Sequence, residues 1–392
     1  MLLKEIGERY SSYVIELRRK FHQCPEVGLE EHHTCEMICE ELRGMGLTPK
    51  VVCGTGVLAE IGDRSRGGRT VCIRSDIDGL QVTEETGVPY ASKNPGFMHA
   101  CGHDAHIAMA LTCARILTDI QDQLKGSVRL IFEPAEEIAR GAVPMIQAGA
   151  LEQADTICGL HVWSGLPAGV FSAQGGSRMA SADFFTITIH GKGTHGSLPH
   201  KGIDSITAAA AVIQNLQLVF SREFPPTDTA LISFCQIRGG NTDNAIPETV
   251  TIGGTTRAFD PAIRDRFQTV MERVIRSTAE AFGARGELDY RLGNPPMIND
   301  DGAARLAAAA VAKNYGSEAL AEFPHTTGGE DFAEYQAVVP GVYLFLGIDN
   351  EAVGAVYPNH SSHFNVDESV LIRGAVTEAQ YAYDFLEGGF EG

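Results

Sequence analysis

Residues 128–134 read VRLIFEP, a mostly apolar run that ends in an acid and a proline. Comparable short runs, rich in β-branched residues, lie at 56–62 (GVLAEIG), 70–76 (TVCIRSD) and 156–162 (TICGLHV), and residues 104–120 have a helical pattern. Strands that are apolar throughout and alternate with helices indicate an α/β fold. We therefore predict a mixed, mainly parallel sheet with helices on both faces, whose ligands bind beyond the carboxyl ends of the strands.

A different pattern begins near residue 180. Six segments follow in the order strand, helix, strand, strand, helix, strand, among them residues 183–191, 205–222, 261–283 and 286–293. This order is typical of a ferredoxin-like α+β domain. We therefore predict two domains: residues 180–291 are inserted into a larger domain made of residues 1–179 and 292–392.

Composition and charge restrict the class of protein. The chain of 392 residues carries 31 Lys and Arg against 50 Asp and Glu, a formal net charge of −19. This charge argues against nucleic acid and anionic membranes as partners. No apolar run is long enough to span a bilayer, and no signal-peptide core is present. Nine scattered cysteines without a Cys-x-x-Cys pair are typical of a reducing compartment, so we predict a cytoplasmic protein.

The densest group of reactive side chains is MHACGHDAH at residues 98–106. From Cys101 to His106 it holds a thiol, two imidazoles and a carboxylate, and Gly102 allows an irregular backbone that turns Cys101 and His103 toward one centre. Thiolate and imidazole together suit a borderline divalent metal such as zinc. The alternative is a core thiol beside surface histidines, but the additional acidic and imidazole residues favour the metal site.

Other candidates follow the ends of predicted strands. Glu136 and Glu137 come just after residues 128–134, and a sharp turn there would let one carboxylate bind metal while the other takes a proton from water. The alternative is a pair of solvated acids at the start of a helix. His161 ends another strand, a position that by itself is more typical of a hydrogen-bonded core residue.

Two further pairs offer the same kinds of side chain. Asp76 and Asp78 lie at the end of the strand at 70–76, where acids can orient a ligand histidine or start a turn. His360 and His363 add two imidazoles near the carboxyl end of the chain. Neither pair decides between these readings alone.

Loops with polar side chains lie within and after the inserted segment. His195 stands in GKGTHGSLPH, and Asn244 stands in GGNTDNAIP. Residues 326–332 have the pattern of a helix start whose amide groups, including those of Gly328 and Gly329, line a substrate pocket. The alternative for each loop is ordinary hairpin chemistry, or capping by the acids of the last segment.

Together these segments resemble the metal-dependent amidohydrolase family of hippurate hydrolase, plant auxin-conjugate hydrolases and bacterial N-acyl-amino-acid deacylases. This family is a branch of the metallopeptidase group that includes aminoacylase and the glutamate-releasing carboxypeptidases. The resemblance runs from RRKFHQCPEVGLEE at 18–31 to HSSHFNVDE at 360–368. Its most specific part is MHACGHDAH followed, about 30 residues later, by PAEE.

The resemblance implies a two-metal site whose ligands are Cys101, His103, Glu137, His161 and His360. It also implies that Glu136 is the general base and that Asp78 stands behind the ligands. The inserted domain would pair two subunits, so that His195 of one subunit polarises the scissile carbonyl in the other, together with Asn244. Arg257 is a candidate for holding the substrate carboxylate.

These implications lead to one predicted activity, the hydrolysis of the amide bond of small N-acyl amino acids. The alternative with the same chemistry is a dipeptidase or carboxypeptidase, and a third reading is a metal-binding scaffold without activity. Each subunit would hold two divalent ions, zinc or manganese, with cobalt or nickel as alternatives. The expected assembly is a homodimer or a tetramer built from it, without nucleic acid or membrane partners.

Overall fold

The computed structural model describes residues 1–390. Its α-helices are α1 (Lys4–Glu8), α2 (Ser11–His22), α3 (His32–Gly44), α4 (His103–Asp119), α5 (Ala142–Gln147), α6 (Ser205–Glu223), α7 (Pro261–Ala281), α8 (Asp301–Tyr315), α9 (Phe332–Gln336) and α10 (Leu371–Gly388). Its strands are β1 (Lys50–Val52), β2 (Gly56–Gly62), β3 (Thr70–Asp76), β4 (Ser127–Glu133), β5 (Thr156–Pro167), β6 (Phe171–Ser172), β7 (Gly176–Met179), β8 (Asp183–His190), β9 (Thr194–His195), β10 (Ala230–Arg238), β11 (Ala245–Ile246), β12 (Thr249–Ala258), β13 (Arg285–Arg291), β14 (Met297–Asn299) and β15 (Gly341–Asp349). No helix among these residues has both the length and the hydropathy of a membrane span.

One compact unit consists of Met1–Gly176, Ile298–Pro324 and the described residues from Asp331 onward. Within residues 1–390, seven of its strands form a sheet in the order β1-β2-β4-β3-β5-β15-β6. The central pairs β4–β3, β3–β5 and β5–β15 are parallel, whereas β1, β2 and β6 pair antiparallel with their neighbours. The prediction of a mixed, mainly parallel sheet is therefore confirmed, although the run at 56–62 is one of the antiparallel strands.

Helices cover both faces of this sheet. Cys158 and Gly159 are successive residues of β5, and successive side chains of a strand point to opposite faces. Cys158 lies near Cys113 of α4, whereas a Cβ on Gly159 would lie 2.9 Å from the ring of Phe332 in α9. Both faces are thereby closed to water, which is why the central strands carry apolar residues throughout.

Helix α4 is anchored where it begins. Asp104, its second residue, accepts hydrogen bonds from Arg18 Nε at 2.8 Å and His22 Nδ1 at 2.7 Å, both on α2. All three side chains are buried, and buried charges of this kind require a partner. The contact holds the helix start, and hence the neighbouring His103, in a defined place.

A second compact unit consists of Ser177–Met297 and His325–Glu330. Its sheet has the order β10-β12-β8-β13, and every neighbouring pair is antiparallel. Helices α6 and α7 pack against it through a shared apolar core. Asp204 and Asp260 cap the two helices by accepting from amides of their first turns. A role of this unit in pairing two subunits stays a prediction.

Candidate active site

Five side chains from separate segments of the first unit converge near the carboxyl ends of its central parallel strands. Cys101 stands in the loop before α4, and His103 is the first residue of that helix. Glu137 lies in a 3-10 turn, Glu136–Ile138, just after β4. His161 lies within β5, and His360 follows β15 in a loop.

The donor atoms of these side chains form overlapping groups. Cys101 Sγ lies 3.4 Å from His161 Nε2 and 3.3 Å from His360 Nε2. His360 Nε2 lies 3.5 Å from Glu137 Oε2, and His103 Nε2 lies 3.8 Å from Glu137 Oε1. Donors within 4.8 Å of one another comprise the sets Cys101–His103–His161 and Cys101–Glu137–His360, which share the thiol.

Irregular backbone on both sides makes this convergence possible. Gly102 has φ +93°, a conformation that suits glycine, and turns the chain between Cys101 and His103. Ala135 has φ +59° and produces the sharp turn after β4. Its amide donates to the buried Glu31 at 2.8 Å, which holds the turn in place. The expected turn at this position is therefore present.

Asp78 joins two of the donors. Its Oδ1 lies 3.1 Å from Nδ1 of His103, and its Oδ2 accepts from the backbone amide of Glu137 at 3.1 Å. The carboxylate is buried and fixes the ring orientation of His103, which leaves Nε2 directed at the other donors. Glu136 is also largely buried, and its Oε2 lies 3.9 Å from His103 Nε2. The reading of Glu136 and Glu137 as solvated acids is therefore wrong.

The charges of the site favour an added cation. Burial raises the pKa of the Cys101 thiol well above its usual range, and it raises the pKa of Glu137 to about 7. Burial lowers the pKa of His103, but nearby carboxylates led by Asp76 outweigh it and raise that pKa to about 10. Burial lowers the pKa of His161 well below its usual range, so that ring is neutral. The carboxylates that favour a proton on His103 would equally favour a divalent ion in its place.

Two buried polar atoms without hydrogen-bond partners in the described part of the chain also indicate a metal site. His103 Nε2 and Glu137 Oε1 are buried, and neither has a hydrogen-bond partner within the described residues 1–390. Buried polar atoms are nearly always paired, so these two call for a further partner. Sulfur, imidazole nitrogen and carboxylate oxygen are the donors that zinc and similar ions take in proteins.

The remaining predicted residues belong to the second unit. His195 is exposed and its Nδ1 lies 2.8 Å from Ser197 Oγ. Strand β9 pairs with β11, and the amide of Gly196 donates to the carbonyl of Asn244 at 2.7 Å, so His195 and Asn244 are brought together. Both residues remain predictions as far as catalysis is concerned.

The predicted substrate-binding residues also meet within this unit. A Cβ on Gly329 would lie 3.2 Å from Nη1 of Arg257, and the amide of Gly328 donates to Thr326 Oγ1 at 3.3 Å. The capping alternative for this segment is wrong for Asp331. That side chain belongs to the first unit, where it accepts from Arg74 and from the amide of Ala142. It makes no capping bond to α9.

Two supporting residues had no role of their own assigned from the sequence, although His106 was counted within the MHACGHDAH motif. The side-chain amide of Asn359 donates to the carbonyl oxygens of Cys101 at 3.3 Å and Val162 at 3.4 Å, and so ties two donor segments together. His106 stands one helical turn after His103, but its ring forms hydrogen bonds with other groups, the Asp76 carboxylate and the backbone N–H of Val162. The spacing of the two histidines marked them as neighbours, but it carried no signal for their separate contacts.

The comparisons with known proteins agree on one family. The family model of peptidase family M20/M25/M40 matches residues 72–384 of this chain. Thermostable carboxypeptidase 1 of Saccharolobus solfataricus is 37% identical over 98% of this chain and 98% of its own length. N-acetyl-L-cysteine deacetylase of Bacillus subtilis is 38% identical over 96% of this chain and 89% of its own. The crystal structure of the Bacillus subtilis YXEP protein, a dinuclear metal-binding peptidase of the M20 family, has a TM-score of 0.86 at 34% identity, covering 97% of this chain and 99% of that one.

Proposed function

The chain belongs to peptidase family M20/M25/M40, and we propose that it removes the acyl group from N-acyl amino acids. It is a metal-dependent hydrolase that acts on amides, as the family and its named relatives show. The observation that carries the proposal is the convergence of a thiol, three imidazoles and a carboxylate beside Glu136, a second, largely buried carboxylate. The relative named as an N-acetyl-L-cysteine deacetylase supports an N-acyl amino acid as substrate.

Two divalent ions per subunit are proposed, in line with the dinuclear YXEP protein. Cys101, His103 and His161 would hold one ion, and Cys101, Glu137 and His360 would hold the other. The thiolate favours zinc, and manganese, cobalt and nickel are the alternatives. When bound, such ions polarise the amide carbonyl and make water a stronger acid.

Glu136 is the proposed general base. Its carboxylate lies beside the donors without being needed as one of them, so we assign it the role of taking a proton from the attacking water. The water oxygen bonds to the amide carbon, the carbon–nitrogen bond breaks, and Glu136 passes the proton to the leaving nitrogen. Asp78 supports this arrangement because it holds both His103 and the amide of Glu137.

The second unit supplies the remaining groups of the proposal. His195, with Asn244, would stabilise the developing charge on the carbonyl oxygen in the site of a partner subunit, which requires a homodimer or a tetramer built from it. Arg257, with the amides of Gly328 and Gly329, would bind the substrate carboxylate. We place the enzyme in the cytoplasm, because all nine cysteines are free thiols.

A second candidate is a carboxypeptidase or dipeptidase with the same chemistry, favoured by the similarity to thermostable carboxypeptidase 1. A panel of N-acetyl and N-benzoyl amino acids and of dipeptides, assayed with zinc, manganese, cobalt or nickel and read by mass spectrometry, separates the two. The proposal expects release of a carboxylic acid from the N-acyl compounds. Hydrolysis of dipeptides alone would replace it by the second candidate.

Glu136→Gln tests the base. We expect two bound ions per subunit and a fall in turnover of about 10²- to 10⁴-fold. Glu137→Gln is the matched control, since it should lose metal as well as activity. If Glu136→Gln turned over substrate at the normal rate, Glu136 would not be the base.

The contribution of His195 across subunits is tested with mixed dimers. We expect His195→Ala and Glu136→Ala, each inactive alone, to regain partial activity after their subunits exchange. Absence of recovery, with exchange demonstrated by mass spectrometry, would show that His195 does not act in a partner's site.

A further inference from the structure

Both backbone polar groups of Val162, the residue directly after His161, are bonded to histidine rings. Its N–H donates to Nε2 of His106 at 2.9 Å, and its carbonyl oxygen lies 2.7 Å from Nδ1 of His161. All three residues are buried, so water does not compete for these bonds.

These contacts determine where the protons lie on both rings. A backbone N–H can only donate, so Nε2 of His106 is unprotonated and its proton resides on Nδ1. That Nδ1 donates to Oδ1 of Asp76 at 2.6 Å. A carbonyl oxygen can only accept, so Nδ1 of His161 carries the proton of that ring. Nε2 of His161 therefore has a free lone pair, and it faces Cys101 Sγ at 3.4 Å.

Asp76 is itself fixed from behind. Its Oδ2 accepts from Nη1 of the fully buried Arg74 at 2.7 Å. The same guanidinium donates to Glu133 at 2.6 Å and to Asp331 at 3.1 Å, which leaves it little freedom to move. Hydrogen bonds thus connect Arg74 in the sheet, through Asp76 and His106, to the backbone N–H of Val162.

We propose that His106, oriented by Asp76, is a positioning residue that sets the tautomer and direction of the metal donor His161 through the backbone of Val162. The ring of His106 also packs edge-on against that of His161, with 4.5 Å between centroids. His106 does not bind a metal itself, although Asp76, His103 and His106 lie close enough together to suggest it. Both of its nitrogens are already engaged, one as donor and one as acceptor. The assignment rests on the proposed function, because it needs an ion at His161.

Two conservative variants separate the two bonds of His106. In His106→Gln the carboxamide stands near the former Nε2 and can still accept from Val162, whereas in His106→Asn it stands near Nδ1 and can reach only Asp76. We expect His106→Asn to bind the ion at His161 about 10- to 100-fold more weakly, with the second ion retained. His106→Gln should recover a measurable part of that affinity. Thr112→Val, another buried change on α4, is the control and should bind both ions normally.

The measurement is Zn²⁺ affinity of the metal-free protein by competition with a chelator, with metal content per subunit counted separately. A wild-type protein that binds no Zn²⁺ would overturn the proposed function and this assignment with it. If the wild-type protein bound two ions and His106→Asn bound Zn²⁺ with the same affinity, the assignment of His106 would be overturned and the proposed function would stand.

A measurement on the unaltered chain removes any dependence on whether the variants fold. In metal-free protein labelled with ¹⁵N-histidine, NMR spectra should show the ring proton of His106 and that of His161 on Nδ1. A proton on Nε2 of His106 would contradict the hydrogen bond from Val162 and overturn the assignment.

Discussion

Replacing Gly102 by alanine tests how tightly the donor loop is packed. Gly102 has φ +93°, and a Cβ built there would lie 2.4 Å from Cγ2 of Val162. Carbon atoms in contact normally stay about 3.5–4.0 Å apart, so the methyl group must displace Val162 or its own backbone. The same residue separates Cys101 from His103, so any shift moves a metal donor.

The expected loss of stability has two parts. The left-handed backbone conformation costs an L-residue about 1–2 kcal/mol. Forcing an extra methyl group into a filled site costs about 1–3 kcal/mol. Together they predict that Gly102→Ala lowers the free energy of unfolding by about 2–5 kcal/mol, and that Zn²⁺ binds more weakly.

Gly96→Ala is the matched control. Gly96 has φ +85° and no neighbour within 4 Å of a built Cβ, so it reports the backbone cost without the overlap. Urea unfolding of both metal-free variants, compared with the wild type, should place Gly102→Ala about 1–3 kcal/mol below Gly96→Ala. Equal stabilities of the two variants would refute the packing described around Val162.

Further outcomes follow from the site. Asp78→Asn should weaken Zn²⁺ binding about 10- to 100-fold, measured by chelator competition, because His103 and the Glu137 amide lose a charged acceptor; unchanged affinity would show that Asp78 has no such role. The pKa of His103 is raised to about 10 by the carboxylates near it, despite burial, so an ion must displace that proton at neutral pH. Zn²⁺ affinity should therefore fall by at least about tenfold for each pH unit between pH 9 and pH 6. The fall should be steeper below pH 7, where Glu137 with its pKa of about 7 also becomes protonated. Calorimetry that found the same Zn²⁺ affinity across this range would contradict the expected pH dependence. Trp163 is half-buried and its ring lies 5.2 Å from that of His161, so we expect it to contact an aromatic acyl group of the substrate. Trp163→Ala should therefore reduce kcat/KM more for N-benzoyl than for N-acetyl amino acids. An equal loss for both would exclude a contact between Trp163 and the benzoyl ring.

Much of the fold could be predicted from local patterns. The apolar runs of β3, β4 and β5 and the helical rhythm between them identified an α/β unit with a mainly parallel sheet, because burial on both faces leaves a continuous apolar signature. The antiparallel direction of β2 was not predictable in this way. Its residues are as apolar as those of the central strands, and direction depends on which strand lies beside it rather than on its own sequence.

The chemistry of the site was also visible in part. A thiol, imidazoles and paired acids at strand ends identified the residue types, and the resemblance they carry was confirmed by the family match. The sequence could not show which of them meet, because Cys101 and His360 are 259 positions apart. The same limit holds for Asp76 and Asp78, which stand two residues apart but contact different histidines, His106 and His103.

The amino-acid sequence by itself determined the class of fold, the family and the supply of metal-binding side chains, since these depend on composition, periodicity and short motifs. Only the tertiary structure decided which nitrogen of each histidine faces the donors, which carboxylate holds which ring, and that His106 lies behind the site. The reason is physical: a hydrogen bond depends on distance and direction between groups brought together by chain folding, and neither quantity is present in the order of residues along the chain.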